Sequence, residues 1–310
     1  MSDVQKTPVA LLSSDWHLRP TVPASRGGAD WYAVMDRRLE QVFGLQEELG
    51  GVPLVIAGDV FDTPNPYSDF ALWACRRLEE GSKGPVLAIP GNHDLAGHQL
   101  SYRSRGVYGM GAGMKSFVDL EDRKWHHIYT LGRSSVALWP MPWGDYTLPT
   151  DKQMKQAEGC IKIAIVHKYM YATKDHTYVG HNEEDCVTQH TKWGKYFDVI
   201  SVGDNHTPWK AGKFINHGSL FSLTSAQKDH EHLFGIVYSD GSLESRVVKE
   251  EKCWVDIEIP QTLTEATSAF LAELTSADLD SVGFDDLLDR LEGSLPEGPR
   301  NQLREIRAGK

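Results

Sequence analysis

The sequence predicts an α/β fold: two packed sheets followed by a small helical extension at the C-terminal end. Three observations predict it. Short apolar runs recur, each closed by a polar cluster. Helical spacing fills the gaps between the first three of them. The second half carries more short strand-like runs than helices.

The first run, 9–13 (VALLS), leads into SDWH. Within 30–49, Met35, Leu39, Val42, Phe43 and Leu49 recur at helical spacing. The run 52–57 (VPLVIA) leads into GDVFD, and Tyr67, Phe70, Ala71, Ala74 and Leu78 then mark a second helix closed by Gly81. The third run, 85–89 (PVLAI), leads into PGNHD. Strand, helix, strand, helix, strand in this order is a parallel unit, which brings its strands' C-terminal ends to one edge, where ligands bind. Further strands are predicted at 127–129, 136–139, 161–166 (leading into HK), 197–202 (leading into GDNH), 214–217, 234–238, 246–248 and 254–259. Ser239-Asp240-Gly241 is a hairpin signal. The runs at 127–129, 136–139, 214–217, 234–238, 246–248 and 254–259 are expected to build a second sheet, mixed or antiparallel. From 261 the chain turns acidic and helical (TEATSAFLAELTSADLDS, FDDLLDRLEG), so a main domain over 1–260 and a helical extension over 261–310 are expected.

With 310 residues, 40% of them hydrophobic, the chain is long enough for one large core. A net charge of −11 excludes a globally basic nucleic-acid binder, but not an enzyme that meets phosphates with metal ions and a local basic rim. Cys75, Cys160, Cys186 and Cys253 form no CxxC pair and fit a reducing compartment. The N-terminal stretch lacks the pattern of a signal peptide, and no apolar stretch approaches the ~18 residues of a membrane span. A cytoplasmic protein without membrane association is expected.

The polar clusters carry the chemistry. Asp15 and His17 follow the first strand, Asp59 the second, Asn92 and His93 the third, His167 the fourth, and Asp204 and His206 the fifth. At a strand end, positions i and i+2 point the same way, so Asp15 with His17, and Asp204 with His206, can face one ion. Any one cluster alone also reads as a turn or a helix cap. Five in order, each delivering His, Asp or Asn, read as a site for Mn²⁺, Fe or Zn²⁺ rather than for a thiol-seeking metal.

These residues resemble the calcineurin-like metallophosphoesterase superfamily, whose pattern runs D-x-H, G-D-x-x-D, G-N-H-D or G-N-H-E, a His, then G-H-x-H. Here the matching segments are DWH at 15–17, GDVFD at 58–62, GNHD at 91–94, His167, and G-x-x-H at 203–206. FINHGS at 214–219 is a weaker echo. Within the superfamily, SDWHL, AGDVFDT and PGNHD are most similar to the SbcD-like DNA repair exonucleases, nuclease partners of SMC-type ATPases. The resemblance implies a four-layer α/β/β/α sandwich and a two-metal site. Asp15, His17 and His206 would hold one ion and Asn92, His167 and the residue at 204 the other, with Asp59 bridging both. His93 would stay off the metals and serve the leaving oxygen, oriented by Asp94. The implied reaction is phosphodiester hydrolysis, with DNA as substrate. The implied cofactors are two divalent ions, Mn²⁺ first, with Mg²⁺, Fe or Zn²⁺ as alternatives. An SMC-type ATPase (SbcC-like) and a second copy of the chain are the expected partners, although some fifty residues after 260 are few for the partner-binding region of that branch.

The chain departs from the pattern at Asp204, where the family has His. Asp204 can ligate through oxygen and favour harder ions, bind through water, or mark a degenerate site on a binding module. A phosphatase or phosphodiesterase for small molecules or phosphoproteins is a further alternative. The loop LRPTVPASRGG at 18–28 adds Arg19 and Arg26 as candidate phosphate contacts. The stretch after His167, with Lys168, Tyr169, Tyr171 and Trp193, reads either as a base-stacking surface or as an insertion with its own small core.

Overall fold

The computed structural model describes residues 6–23, 26, 30–129, 135–177, 182–224 and 227–249. The strand expected at 254–259 and the extension expected at 261–310 lie outside them. Contacts divide the chain into Met1–Val255 and Asp256–Lys310, and the described residues all belong to the first of these.

Strands β1 (Pro8–Ser13), β2 (Leu54–Ala57), β3 (Val86–Ile89) and β4 (Val118–Asp119) run parallel, with Leu11 opposite Leu54, Leu54 opposite Val86 and Leu87 opposite Val118. The chain then builds a second sheet from β5 (His126–Tyr129), β6 (Ser135–Met141), β7 (Ile161–His167), β8 (Val199–Gly203), β9 (Trp209–Ala211) and β10 (Phe214–Asn216). In it β6, β7, β8 and β10 are parallel neighbours, while β5 and β9 are antiparallel edges. Finally β11 (Leu233–Tyr238) and β12 (Leu243–Val247) return to the first sheet, giving the order β12-β11-β1-β2-β3-β4. The sequence reading assigns the runs at 234–238 and 246–248 to the second sheet. For β11 and β12 that is corrected: β11 covers the free edge of β1 antiparallel, Leu12 opposite Gly235, and β12 pairs on β11.

Period-two alternation assigns the faces. Leu11, Leu54, Ile56, Val86 and Ala88 point outward onto Met35, Leu39, Val42 and Phe43 of α1 (Trp31–Glu48) and Phe70, Ala74 and Leu78 of α2 (Ser68–Gly81). The Asp30 carboxylate caps α1 by accepting the Ala33 N–H at 3.1 Å. The intervening positions Leu12, Val55, Leu87 and Ile89 meet Val136, Leu138, Ile163, Ile165 and Val199 between the sheets. Ala164, Val166, Ile200 and Val202 face the far side, packed under Met170, Trp193, Phe197 and Trp209. Two short helices, α3 (Gly106–Gly113) and α4 (Asp151–Gln156), have no counterpart in the sequence reading. The two-sheet α/β architecture is the one expected, but the fourth layer consists of 3₁₀ turns, notably Val187–Lys195, and the single-turn-and-a-half α4 rather than long helices.

Candidate metal centre

Every expected ligand stands at the end of a central strand, and the two sheets deliver them to one place. Asp15 and His17 follow β1, Asp59 follows β2, Asn92 and His93 follow β3, His167 ends β7, and Asp204 and His206 follow β8. The His167 Nδ1–H donates to the carbonyl of Ala57 at 2.8 Å, locking a second-sheet ligand to the first sheet. The Asp204 N–H donates to Asp15 Oδ1 at 2.9 Å and makes a second such link.

The convergence arises differently from the strand geometry expected. The strands stop at Ser13 and Gly203, and Asp15 (φ 53°), His17 (φ 44°), Asp59 (φ 52°) and Asp204 (φ 82°) all occupy the left-handed region. Turn backbone, not strand alternation, aims these side chains inward, at a cost of about 1–2 kcal/mol per residue. The surrounding ladder holds them there: Asp15 N–H to Gly58 O, His17 N–H to Asp59 O, and Leu220 N–H to Asp15 O, at 2.9–3.0 Å.

Two glycines make room. Gly58, at φ +89°, lies so close to the His167 ring that a Cβ there would overlap it. A Cβ on Gly91 would collide with the Asp59 carboxylate. Both positions need a hydrogen where other residues carry carbon.

Ligand atoms gather in three overlapping groups, each within 4.8 Å: Asp15–His17–His206, His17–Asp59–His93 and Asp15–Asp59–His167. His17 Nε2 lies 2.9 Å from His206 Nε2 and 3.6 Å from Asp59 Oδ2. His167 Nε2 lies 3.0 Å from Asn92 Oδ1 and 3.4 Å from Asp59 Oδ2. Because Nδ1 of His167 donates to a carbonyl, its Nε2 is the atom that faces two oxygens, Asn92 Oδ1 and Asp59 Oδ2, both electron-pair donors. A positive charge between them, a proton on Nε2 or a metal ion, reconciles the three, and a ligand imidazole fixed through its other nitrogen is the arrangement metals use. The donor set therefore fits divalent metal ions.

The electrostatics agree. Burial pushes the Asp15 carboxyl up to about 7, against the pull of His167. Burial acts on Asp59 too, but His167, His17 and His93 hold it well below the carboxylate range. Burial opposes charge on His167, yet Asp59, Asp204 and Asp15 raise it well above its ordinary value. Burial and then His17 push His206 down to about 3. Buried carboxylates that drive neighbouring imidazoles to take up protons form a site that draws cations.

Asp204 lies beside this cluster rather than within its three tight groups. Its carboxyl is pushed up by burial and senses His167 and Asp59. His93 joins one group, whereas the sequence reading kept it off the metals. Its ring is held by Nδ1–H donating to the Asp62 carbonyl at 2.9 Å, and its N–H donates to Asp59 Oδ1 at 2.9 Å. The expected orienting role of Asp94 is corrected. That carboxylate is fully buried and accepts the backbone N–H groups of Gly91, Phe61 and Val60 at 3.0, 2.9 and 3.2 Å, tying the loop after β2 to the loop after β3. Arg26 is also corrected as a phosphate contact. It is fully buried, donates to the Ser222 carbonyl at 3.3 Å and lies over the Trp31 ring, and an arginine without solvent-facing surface is in no position to meet a substrate. Arg19 does stand at the rim, its Nη1 3.3 Å from Asp62 Oδ2. Trp193 and Tyr171 are buried and Lys168 pairs with Asp185, and Met170, Val187 and Trp193 pack on the far face of the second sheet, so these residues cover that sheet rather than form a base-stacking surface or a separate small core.

Two residues near the site escaped the sequence reading. Asp62, the second carboxylate of GDVFD, approaches His17 Nδ1 at 3.4 Å, and its spacing of three from Asp59 was the available signal. Gln227 donates from Nε2 to His206 Nδ1 at 2.9 Å, and nothing local in the sequence announces it.

The description "Calcineurin-like phosphoesterase" belongs to the family whose profile matches residues 9–208, a span that includes every residue of the centre through His206. The chain belongs to the calcineurin-like phosphoesterases. No curated protein sequence matches it significantly. Among solved structures, it is similar to a dimetal phosphatase from Danio rerio, at 10% identity and a TM-score of 0.45, over 79% of this chain and 100% of that one. No described helix is long and apolar enough to cross a membrane.

Proposed function

We propose that this member of the family is a two-metal phosphodiesterase that cleaves DNA. The observation that carries the reading is the overlap of the three ligand groups, with Asp59 common to two of them and Asn92 Oδ1 against His167. In it Asp15, His17 and His206 would hold one ion and Asn92, His167 and Asp204 a second, with Asp59 available to both. A bound pair of divalent ions supplies neutralisation of the phosphate oxygens and acidification of a water nucleophile. Mn²⁺ suits this mixed nitrogen and oxygen set, as do Mg²⁺, Fe and Zn²⁺.

The chain's own residues supply the remainder. The Asp62 carbonyl fixes the proton on Nδ1 of His93, which leaves Nε2 as the ring atom for the leaving oxygen. Asp94 keeps the His93 loop against the Asp59 loop, and Arg19 stands where a phosphate would approach. DNA as substrate, an SMC-type ATPase as partner and pairing with a second copy rest on the flanking segments SDWHL, AGDVFDT and PGNHD. A second reading, a small-molecule phosphodiesterase or phosphatase, is favoured by one observation: with Arg26 buried, a chain of net charge −11 offers DNA a sparser basic rim than its sequence suggested.

Hydrolysis of linear and circular DNA, single- and double-stranded, with Mn²⁺ and with EDTA, decides between them. Degradation that needs Mn²⁺ is expected. Turnover of an aryl phosphodiester with all four DNAs left intact would overturn the nuclease reading. In the same assay His93→Ala is expected to retain Mn²⁺ and lose about 10²–10⁴-fold in kcat. Full residual turnover would remove His93 from the mechanism.

A further inference from the structure

The loops after β1 and β2 run side by side beyond the metal centre. Leu18 pairs with Phe61, the Asp62 N–H donates to the Leu18 carbonyl at 3.1 Å, and the Trp31 indole N–H donates to the Arg19 carbonyl at 2.9 Å. The far part of the second loop is anchored too, because the Val107 N–H donates to the Pro64 carbonyl at 2.8 Å. Between these fixed segments lies a cleft of about 320 Å³, lined by Arg19, Thr21, Asp62, Thr63, Asn65 and Tyr67.

Asp62 joins this cleft to the centre. Its carboxylate lies between His17 Nδ1 and Arg19 Nη1, at 3.4 and 3.3 Å, and its carbonyl holds His93. The cleft therefore opens from the side of the site on which His93 sits. At its outer end the Tyr67 ring is 73% exposed, more than any other large apolar side chain among the described residues. Tyr67 precedes the first turn of α2, and its carbonyl accepts the Ala71 N–H at 2.9 Å, so its backbone is held while its ring stands in solvent. The Arg19 side chain is 28% exposed, with Nη1 turned to Asp62. A solvent-facing aromatic ring, three small polar side chains and a partly exposed guanidinium, in a volume at the small end of ligand sites (roughly 300–1,000 Å³), make up the recognition chemistry of one nucleotide.

We infer that this cleft is a subsite for a single unpaired nucleotide adjoining the scissile phosphate, its base stacked on Tyr67 and a phosphate of its backbone on Arg19. The inference rests on the nuclease reading of the centre and deepens it. A cleft of this size admits one splayed nucleotide and not a duplex, so the substrate presented to the metals is a free end or a single strand.

Binding of a labelled tetrathymidylate and of its abasic equivalent, followed by fluorescence anisotropy with Ca²⁺ in place of Mn²⁺, reads the base contribution directly. The ratio of the two affinities is expected to favour the base-bearing strand. It should fall about ten-fold in Tyr67→Ala and survive in Tyr67→Phe, in line with what one stacked base contributes. The ratio of kcat/KM for the same pair of strands in Mn²⁺ is expected to move in parallel. Equal affinity of the wild type for both strands, or a ratio that survives Tyr67→Ala, would overturn the subsite. A Tyr67-dependent preference for bases without any metal-dependent cleavage would overturn the nuclease reading and leave the subsite standing.

Discussion

Asp204 is the residue at which the chain parts from its family's pattern, and its surroundings say what an Asp does there. Its N–H is committed to Asp15, and its carboxyl senses His167 and Asp59 from within a buried setting. A carboxylate so placed adds negative charge to the side of the centre assigned to Asn92 and His167, either as a ligand or through a water. Asp204→Ala is therefore expected to weaken the second of two Mn²⁺ binding steps by about 10–100-fold in calorimetry and to spare the first. Two unchanged steps would show that Asp204 has no part in holding metal. Asp94 calls for a different measurement. With its carboxylate spent on three backbone N–H groups, Asp94→Ala leaves three buried donors without an acceptor, at about 1–3 kcal/mol each. The urea midpoint is expected to fall accordingly at constant m-value. A variant of unchanged stability but altered pH–rate profile would restore the orienting role that the sequence suggested.

At the scale of the element, the informative unit is the strand end with its glycine. Gly58 and Gly91 let His167 and Asp59 approach backbone that any larger residue would occupy, and each belongs to a motif legible in the sequence. Gly58→Ala places a methyl at positive φ against the His167 ring, so it must either tilt β2 away from β7 or displace the imidazole. Stability is expected to drop by about 2 kcal/mol or more and metal affinity at least ten-fold. Wild-type affinity in a thermal-shift titration with Mn²⁺ would contradict that placement. The five ligand-bearing strands, α1 and α2 were readable because an apolar period and a polar stop are local signals. The sheet to which β11 and β12 belong was not readable, since a strand's composition does not encode its partner across more than two hundred residues. The left-handed turns at Asp15, His17 and Asp204 were equally hidden, because the motif gives the residues but not their φ. Arg26 misled because a charged side chain in a loop reads as facing substrate until its burial is known, and Asp94 because the motif does not disclose that its carboxylate is taken up by backbone N–H groups.

Across the whole molecule, the centre depends on two sheets staying in register, and a pair of neutral histidines lies beside that junction. His217 Nδ1–H donates to the Leu233 carbonyl at 2.6 Å and its Nε2 accepts from Ser201 Oγ at 2.8 Å, linking β8, β11 and the end of β10. His232 Nδ1–H donates to the Gly218 carbonyl at 3.0 Å and its Nε2 accepts from Ser13 Oγ at 2.9 Å, while that hydroxyl accepts the Trp16 indole N–H at 2.7 Å. Every donor meets an acceptor only while both imidazoles are neutral. Burial pushes His217 down from 6.5 to about 4, and burial with His217 beside it pushes His232 well below its ordinary value. Both folded-state values lie below those of the unfolded chain, so the unfolded chain binds protons first as pH falls. The associated stability is complete above about pH 6.5 and is lost as pH drops from there towards 4. For His217 alone it amounts to roughly 3 kcal/mol. The urea-derived stability of the protein in EDTA is thus expected to be flat from pH 8 to 7 and to fall steeply between pH 6.5 and 4. In His217→Gln, whatever its stability at neutral pH, that slope is expected to be shallower. An equal slope in the two proteins would place the acid sensitivity in the other depressed imidazoles, His232 and His206, instead.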